Sequence, residues 1–325
     1  MKKFFIFTTL VVVFSLVSCS SIDESSSYLY DDNFQQESAE IIEELKQLND
    51  RFVASSESYC SRGLRGLALF SADFIGAYEG SKAGGAIGGA IGSAFAGAGA
   101  APGAAAGAII GGAICGIGAS YGMWCTTRGC GGMEYPSIWN ISEAYCEIKS
   151  EMISNKFVED SVAFVGLLDI PESAGLVEEI GIIHNAALDK LIYSGSLDIM
   201  SLENHLTTPD VEVVSNCYEL PPLEMSILHT DEFETHYESH MTSICNGGYL
   251  FTIDSDSFIP DQIVKLYIDT VENMNNLNLE SVIDFTNQYI SVISNSNELM
   301  DVEKQNLYVA FSVAVYSYLY WYENY

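Results

Sequence analysis

Basic side chains are what this sequence lacks most. Lysine and arginine number 13 against 44 aspartates and glutamates, a formal net charge of −31. Proteins that grip nucleic acid neutralise phosphates with Lys and Arg, so a nucleic-acid partner is excluded. The same shortage disfavours adsorption to anionic headgroups, so any membrane attachment must be apolar or lipid-driven. No side chain between Lys82 and Arg128 carries a formal charge, and no proline falls between Cys60 and Pro102. Strand-type alternation is almost missing, with residues 249–253 the one credible short strand. Catalytic signatures are scarce too. There is no Walker loop, no dinucleotide fingerprint and no Cys-x-x-Cys pair. Asp254-Ser255-Asp256 opens like a calcium loop, but Phe258 and Ile259 stand where a ligand and the obligatory Gly belong. Neither enzymatic activity nor a cofactor is expected.

What fills the uncharged stretch is glycine and alanine. Gly76, Gly80, Gly84, Gly88 and Gly92 recur every four residues, and Gly103, Gly107 and Gly111 repeat the step further on. Residues four apart share one helix face. A face without Cβ atoms lets a partner backbone approach for dispersion and Cα–H···O contacts. The helix-packing candidates are therefore Gly84, Gly88, Gly92, Gly103, Gly107 and Gly111, with Ala101-Pro102-Gly103 expected to reverse the chain. Each arm suits a bilayer in length: residues 83–101 would rise about 28 Å against a ~30 Å hydrocarbon core. Hydrophobicity fits less well, since Ile87, Ile91 and Phe95 are the first arm's only strong apolar groups. The hairpin therefore needs a partner surface: its own second arm, the helix preceding it, or another copy.

The N-terminus addresses the chain for export. Lys2 and Lys3 precede an apolar run that ends in Leu16-Val17-Ser18-Cys19, the pattern of a signal peptide. Cys19 matches the acceptor cysteine of a lipobox, so it is expected to be acylated, palmitate-type, and to become the mature N-terminus. Ser20 follows it, which does not signal inner-membrane retention, and the expected location is the outer membrane or cell surface. Removing Cys19 leaves Cys60, Cys115, Cys125, Cys130, Cys146, Cys217 and Cys245. Export permits disulfides, and the odd number leaves at least one thiol over. Cys125 and Cys130 are a candidate disulfide, Cys217 with Cys245 a second, and Cys115 the candidate free thiol.

Helical spacing dominates elsewhere. Residues 20–37 read as a tether and 38–54 as an amphipathic helix with Ile41, Ile42, Leu45, Leu48 and Phe52 on one face. From Leu64 to Tyr78 a second face forms, with Arg65, Asp73 and Glu79 placed off it. Further helices are expected over 137–160, 174–193, 198–205, 235–245, from Pro260, 279–293 and 300–322, with Pro221-Pro222 in an irregular connection. The fold class is all-α: a glycine-zipper helical hairpin plus an acidic C-terminal helical bundle. The organisation is residues 1–18 signal peptide, 19–58 tether and first helix, 59–131 hairpin, and 132–325 acidic helical domain.

His236 and His240, four apart, could share a metal with His229. The zincin pattern needs Glu after the first His, where Tyr237 stands, so metal-dependent chemistry is the lesser reading and no metal site is assigned. His184-Asn185 reads as a core pair bonding between helices. Residues 316–321, Tyr-Ser-Tyr-Leu-Tyr-Trp, read as an aromatic face docking on the bundle.

The glycine rows resemble the two-helix segments of bacterial outer-membrane lipoproteins and the membrane-active helices of glycine-zipper bacteriocins. The hairpin, the Gly181-x-x-His184-Asn185 helix and the terminal Ser317-x-x-Tyr320-Trp321 helix together resemble a group of uncharacterised bacterial lipoproteins. That resemblance implies shared architecture and carries no catalytic residue. The leading expectation is a lipid-anchored structural or interaction protein, its partners being membrane lipid through Cys19 and its own copies through the zipper. The alternative is a pore-forming effector whose hairpin inserts as an oligomer.

Overall fold

The computed structural model describes residues 32–55, 64–94, 99–128, 135–153, 166–175, 177–193, 222–245, 258–274 and 278–324. Among them are ten α-helices, one 3-10 turn at Glu172–Ala174 and no strand. In chain order the helices are α1 Asp32–Ser55, α2 Leu64–Ser93, α3 Ala100–Arg128, α4 Ile138–Ile153 and α5 Val177–Tyr193. They continue as α6 Pro222–Leu228, α7 Asp231–Cys245, α8 Ile259–Asn273, α9 Leu279–Asn295 and α10 Asp301–Asn324. The chain divides into compact units 1–40 and 41–325. Of the first, only the start of α1 is described.

The all-α expectation holds, with local corrections. α1 begins at Asp32, so the last residues assigned to the tether belong to the helix. Pro222 opens α6 where an irregular connection was expected. A proline fits there because the first N–H groups of a helix have no intrahelical acceptor. The same rule corrects the hairpin turn. α2 ends at Ser93 and α3 starts at Ala100, so Pro102 and Gly103 lie in the first turn of α3 and do not make the reversal. The first bonded amide there is Gly103 N–H, which donates to Gly99 O at 2.8 Å, so Pro102 removes no bond. The expected strand at 249–253 and the helix at 198–205 lie outside the described residues.

Three helices make the centre of the second unit. Every residue is buried over 69–78 of α2, 110–123 of α3 and 306–321 of α10. A helix apolar or small on all sides is a core helix, and these three are enclosed by others. α1, α8 and α9 are two-faced instead. Ile41, Leu45 and Leu48 of α1 are buried while Glu43 and Glu44 face out. Tyr267 of α8 stacks on Phe74 at 4.9 Å and on Phe285 at 5.3 Å, and meets Phe311 edge-on at 4.9 Å. It thereby ties α2, α9 and α10 together. Its hydroxyl is satisfied by Thr286 at 2.7 Å. Each such aromatic burial contributes roughly 1.5–3 kcal/mol. Each helical glycine costs roughly 1 kcal/mol against alanine. Tertiary burial therefore holds α2 helical despite its glycines.

Candidate functional site

The feature that sets this molecule apart is the seam between α2 and α3. A Cβ placed on Gly84 would lie 2.1 Å from Gly107 O, and one on Gly107 would lie 2.0 Å from Gly84 O. Gly88 and Gly103 form the next reciprocal pair at 2.2 and 2.3 Å, and Gly92 and Gly99 the next at 2.2 and 2.6 Å. Below them Gly80 and Gly111 pair at 2.3 and 2.1 Å, and Gly76 faces Cys115 O at 2.9 Å. Each four-residue step up α2 matches one down α3, as antiparallel helices require. The glycine hydrogen that replaces Cβ points at the facing carbonyl, the arrangement of a Cα–H···O contact. No other residue fits, because side-chain carbon this close to oxygen is a hard clash.

The neighbouring glycines serve other contacts. A Cβ on Gly112 would meet Val309 of α10 at 2.4 Å, one on Gly116 would meet Val313 at 2.9 Å, and one on Gly118 would meet Tyr237 of α7 at 2.8 Å. Small residues thus seat α10 on one side of α3 and α7 on another. The far end of the hairpin is different. Ala86, Ala90, Ser93, Ala94, Ala101 and Pro102 are exposed, and Ile87, Ile91 and Ile109 are half-buried. The hairpin is therefore buried at its base and open at its tip, with no charge at that end.

At the base lies a buried carboxyl. Asp73 is fully buried on α2, not off the apolar face as its charge suggested. Its Oδ2 receives Ser120 Oγ of α3 at 2.8 Å and lies in hydrogen-bond contact with Ser317 Oγ of α10. Trp321 Nε1–H donates to Ser120 Oγ at 3.4 Å. Asp73 Oδ1 makes no hydrogen bond among the described residues. Burial pushes the Asp73 pKa up to about 8, while the Ser317, Ser120 and Trp321 donors pull it back. The signal was present in the row Leu69, Asp73, Ala77, Ser81, Gly85: its members after Asp73 are all small.

No protein-family model matches this chain, and neither a curated protein nor a solved structure does. Its chemistry is therefore read from its own side chains. Gly118-Ala119-Ser120-Tyr121-Gly122 fits the Gly-x-Ser-x-Gly pattern. In a hydrolase that serine sits on an exposed strand-to-helix turn. Ser120 instead lies inside α3, buried, with its hydroxyl given to Asp73. It is a packing group.

His184 and Asn185 join α5 to the same core. His184 is fully buried, with Nδ1 3.0 Å from Asn185 Oδ1. Asn185 Nδ2 donates to Tyr316 O of α10 at 2.8 Å, so its Oδ1 is the acceptor and His184 carries its proton on Nδ1. Burial holds the His184 pKa down at about 4, against the pull of Asn185. Gly181 lets the two helices meet, since a Cβ there would lie 2.5 Å from the Tyr316 ring.

A charged collar marks where the apolar end begins. Asp261 Oδ1 of α8 accepts from Tyr78 Oη at 2.6 Å and from Lys82 Nζ at 3.0 Å, and Lys82 also pairs with Glu79 at 3.2 Å. Burial works against the Lys82 charge, but Glu79 and Asp261 outweigh it and raise its pKa. The last charge before the hairpin tip is thus neutralised on α8.

The three histidines do not converge on a metal. His229 packs on the Trp139 ring at 4.6 Å, while His236 and His240 lie parallel along α7 with centroids 6.2 Å apart. Among the described residues no group of three His, Cys, Asp or Glu is placed to hold a metal ion. Cys115 is a free, buried thiol against Gly80, and Cys245 is free as well, while its suggested partner Cys217 lies outside the described residues. Cys125 is buried in α3, and its suggested partner Cys130 lies outside the described residues. Cys19 lies outside them too.

Proposed function

We propose that this chain is an exported, lipid-anchored protein of structural or interaction type, held by acylated Cys19. Its α2–α3 hairpin rests its uncharged tip on a membrane. The observation that carries this reading is the exposed end of the hairpin, which presents Ala86, Ala90, Ala101 and Pro102 with half-buried Ile87 and Ile91, and no charge. The chain's −31 charge leaves apolar contact and acylation as the means of attachment. Expected locations are the outer membrane or cell surface, as the resemblance to glycine-zipper lipoproteins implies.

Geometry favours a tip that dips into one leaflet over one that spans. From Ser81 to Ser93 the helix rises about 18 Å, short of the ~30 Å core. α3 is long and apolar enough to cross, but 61% of its most apolar window is buried. Spanning would strip α7 and α10 from it and expose Asp73 and Ser120. A pore-forming effector requires that opening, so the resting mode is preferred and no dye release from vesicles is expected.

Flotation with uncharged phosphatidylcholine vesicles tests the proposal. Wild-type protein should carry an acyl chain that Cys19→Ala lacks. Cys19→Ala should still float with vesicles, and adding Ala90→Glu should abolish flotation. If Cys19→Ala never floats, the hairpin has no membrane role and only the anchor remains.

A further inference from the structure

Asp73 links three helices through a single carboxyl group: its own α2, α3 through Ser120 and α10 through Ser317. Both hydroxyls converge on Oδ2, the Trp321 indole stands by the carboxyl as a further donor, and Oδ1 makes no hydrogen bond among the described residues in a fully buried setting. An ionised carboxylate spreads its charge over both oxygens, and leaving one of them bare in an apolar core carries a heavy desolvation penalty. A neutral acid fits better. In the neutral acid the Ser317 hydroxyl, a donor to the carboxylate, turns to accept the proton on Oδ2, Ser120 O–H donates to the same oxygen, and Oδ1 becomes a carbonyl-type acceptor. A missing partner costs least there.

We propose that Asp73 is a proton-dependent latch: it holds a proton in the folded protein, and losing it loosens helix α10 from the base of the α2–α3 hairpin. This inference is independent of where the protein resides.

The neighbouring ionisable groups do not substitute for that proton. On α5, His184 packs against Gly116, one turn from Ser120, and is itself held neutral. Asp189 of α5 is engaged by Tyr320 Oη at 2.7 Å. Glu272 of α8 accepts from Ser71, two residues before Asp73. On α2, Lys82 pairs with Glu79 and with Asp261 of α8. On α3 and α7, Cys115 and Tyr237 are buried and held protonated by that burial. No cation faces Asp73 from any packed element among the described residues, so ionisation there would go uncompensated.

The sign follows from linkage. The unfolded chain releases the Asp73 proton near 3.8 and the folded one near about 8. The folded state therefore binds more protons in that window. Folding loses about tenfold in equilibrium constant for each pH unit from about 4 to about 8, then levels off.

Two measurements on the purified wild-type protein decide the matter. Infrared difference spectra between about pH 6 and pH 10 should show loss of a protonated-carboxyl carbonyl band. Amide exchange, corrected for its intrinsic pH dependence, should show residues 306–321 of α10 losing protection over the same range. Asp73→Asn should lack the band and keep α10 protected throughout, and Ser317→Ala should shift the transition. Should Asp73→Asn not fold, the wild-type spectra and exchange still decide. Absence of the band at pH 6, or α10 protection unchanged up to pH 10, overturns the latch.

Discussion

Two adjacent glycines in α2 should respond oppositely to the same substitution. A Cβ on Gly88 would lie 2.2 Å from Gly103 O and 3.1 Å from Gly107 Cα, all backbone with no flexible end to yield. One on Gly89 would lie 3.4 Å from Ala104 Cβ and 3.7 Å from Ala100 O, ordinary contact. Alanine improves helix propensity at both positions by roughly 1 kcal/mol. For Gly89→Ala nothing opposes that gain, so the protein should be stabilised by about 0.5–1 kcal/mol. For Gly88→Ala the helices must separate by about 1 Å, at an overpacking cost of typically 1–3 kcal/mol or more. The reciprocal Cα–H···O contacts, roughly 0.5–1 kcal/mol each, weaken as well. The net effect is destabilisation by about 1–3 kcal/mol. At about 2 °C per kcal/mol for a unit this large, melting temperatures of the two variants should differ by several degrees, on opposite sides of wild type. Thermal and urea unfolding followed by circular dichroism reads this directly. Equal shifts of the same sign would refute the close backbone seam.

Further outcomes follow from other contacts. Gly181→Ala would drive a Cβ to 2.5 Å from the Tyr316 ring and 2.7 Å from Ser312 O. It should destabilise by about 1–3 kcal/mol in urea unfolding, and a neutral result would mean α5 does not meet α10 there. His184 titrates at about 4 folded and 6.5 unfolded, so the unfolded state binds more protons between those values. Its stabilisation is present above 6.5 and falls as pH drops toward about 4. The stability gap between wild type and His184→Gln should narrow over that range by about tenfold per pH unit, and a constant gap would contradict a buried neutral imidazole. Cys115 is buried against Gly80, and burial keeps its thiol protonated. It should resist iodoacetamide in the native protein and react after urea unfolding, as peptide mapping would show.

Helix content was legible because apolar residues recur at helical spacing in α1, α5, α8 and α9, each with a solvent face. The pairing of the glycines was also legible in kind, since a four-residue step puts them on one face whatever covers it. The position of the reversal was not. Pro102-Gly103 signals a break, yet the same residues are tolerated in a first turn, and only the bond from Gly103 to Gly99 decides between them. Asp73 was misplaced for a related reason. A charge is assigned to solvent when a helix has a solvent face, but residues 69–78 of α2 have none. Enclosure comes from α10, whose burial on every side depends on partners far along the chain. The roles of Ser317 and Trp321 were likewise hidden: their motif was visible, but the carboxyl they serve lies more than two hundred residues away. Helical spacing sets His236 and His240 side by side, and among the described residues no third ligand joins them.

The central claim is that the hairpin tip, and no other part of the bundle, touches a membrane. Depth-dependent quenching tests it. Tryptophan is introduced by Ala90→Trp at the exposed tip and by Asp269→Trp on the exposed face of α8, each in the full-length protein on uncharged vesicles with brominated acyl chains. Lipid quenching of the added fluorescence at position 90, with none at position 269, is the predicted result. Quenching at neither position, with both equally open to an aqueous quencher, would contradict the account.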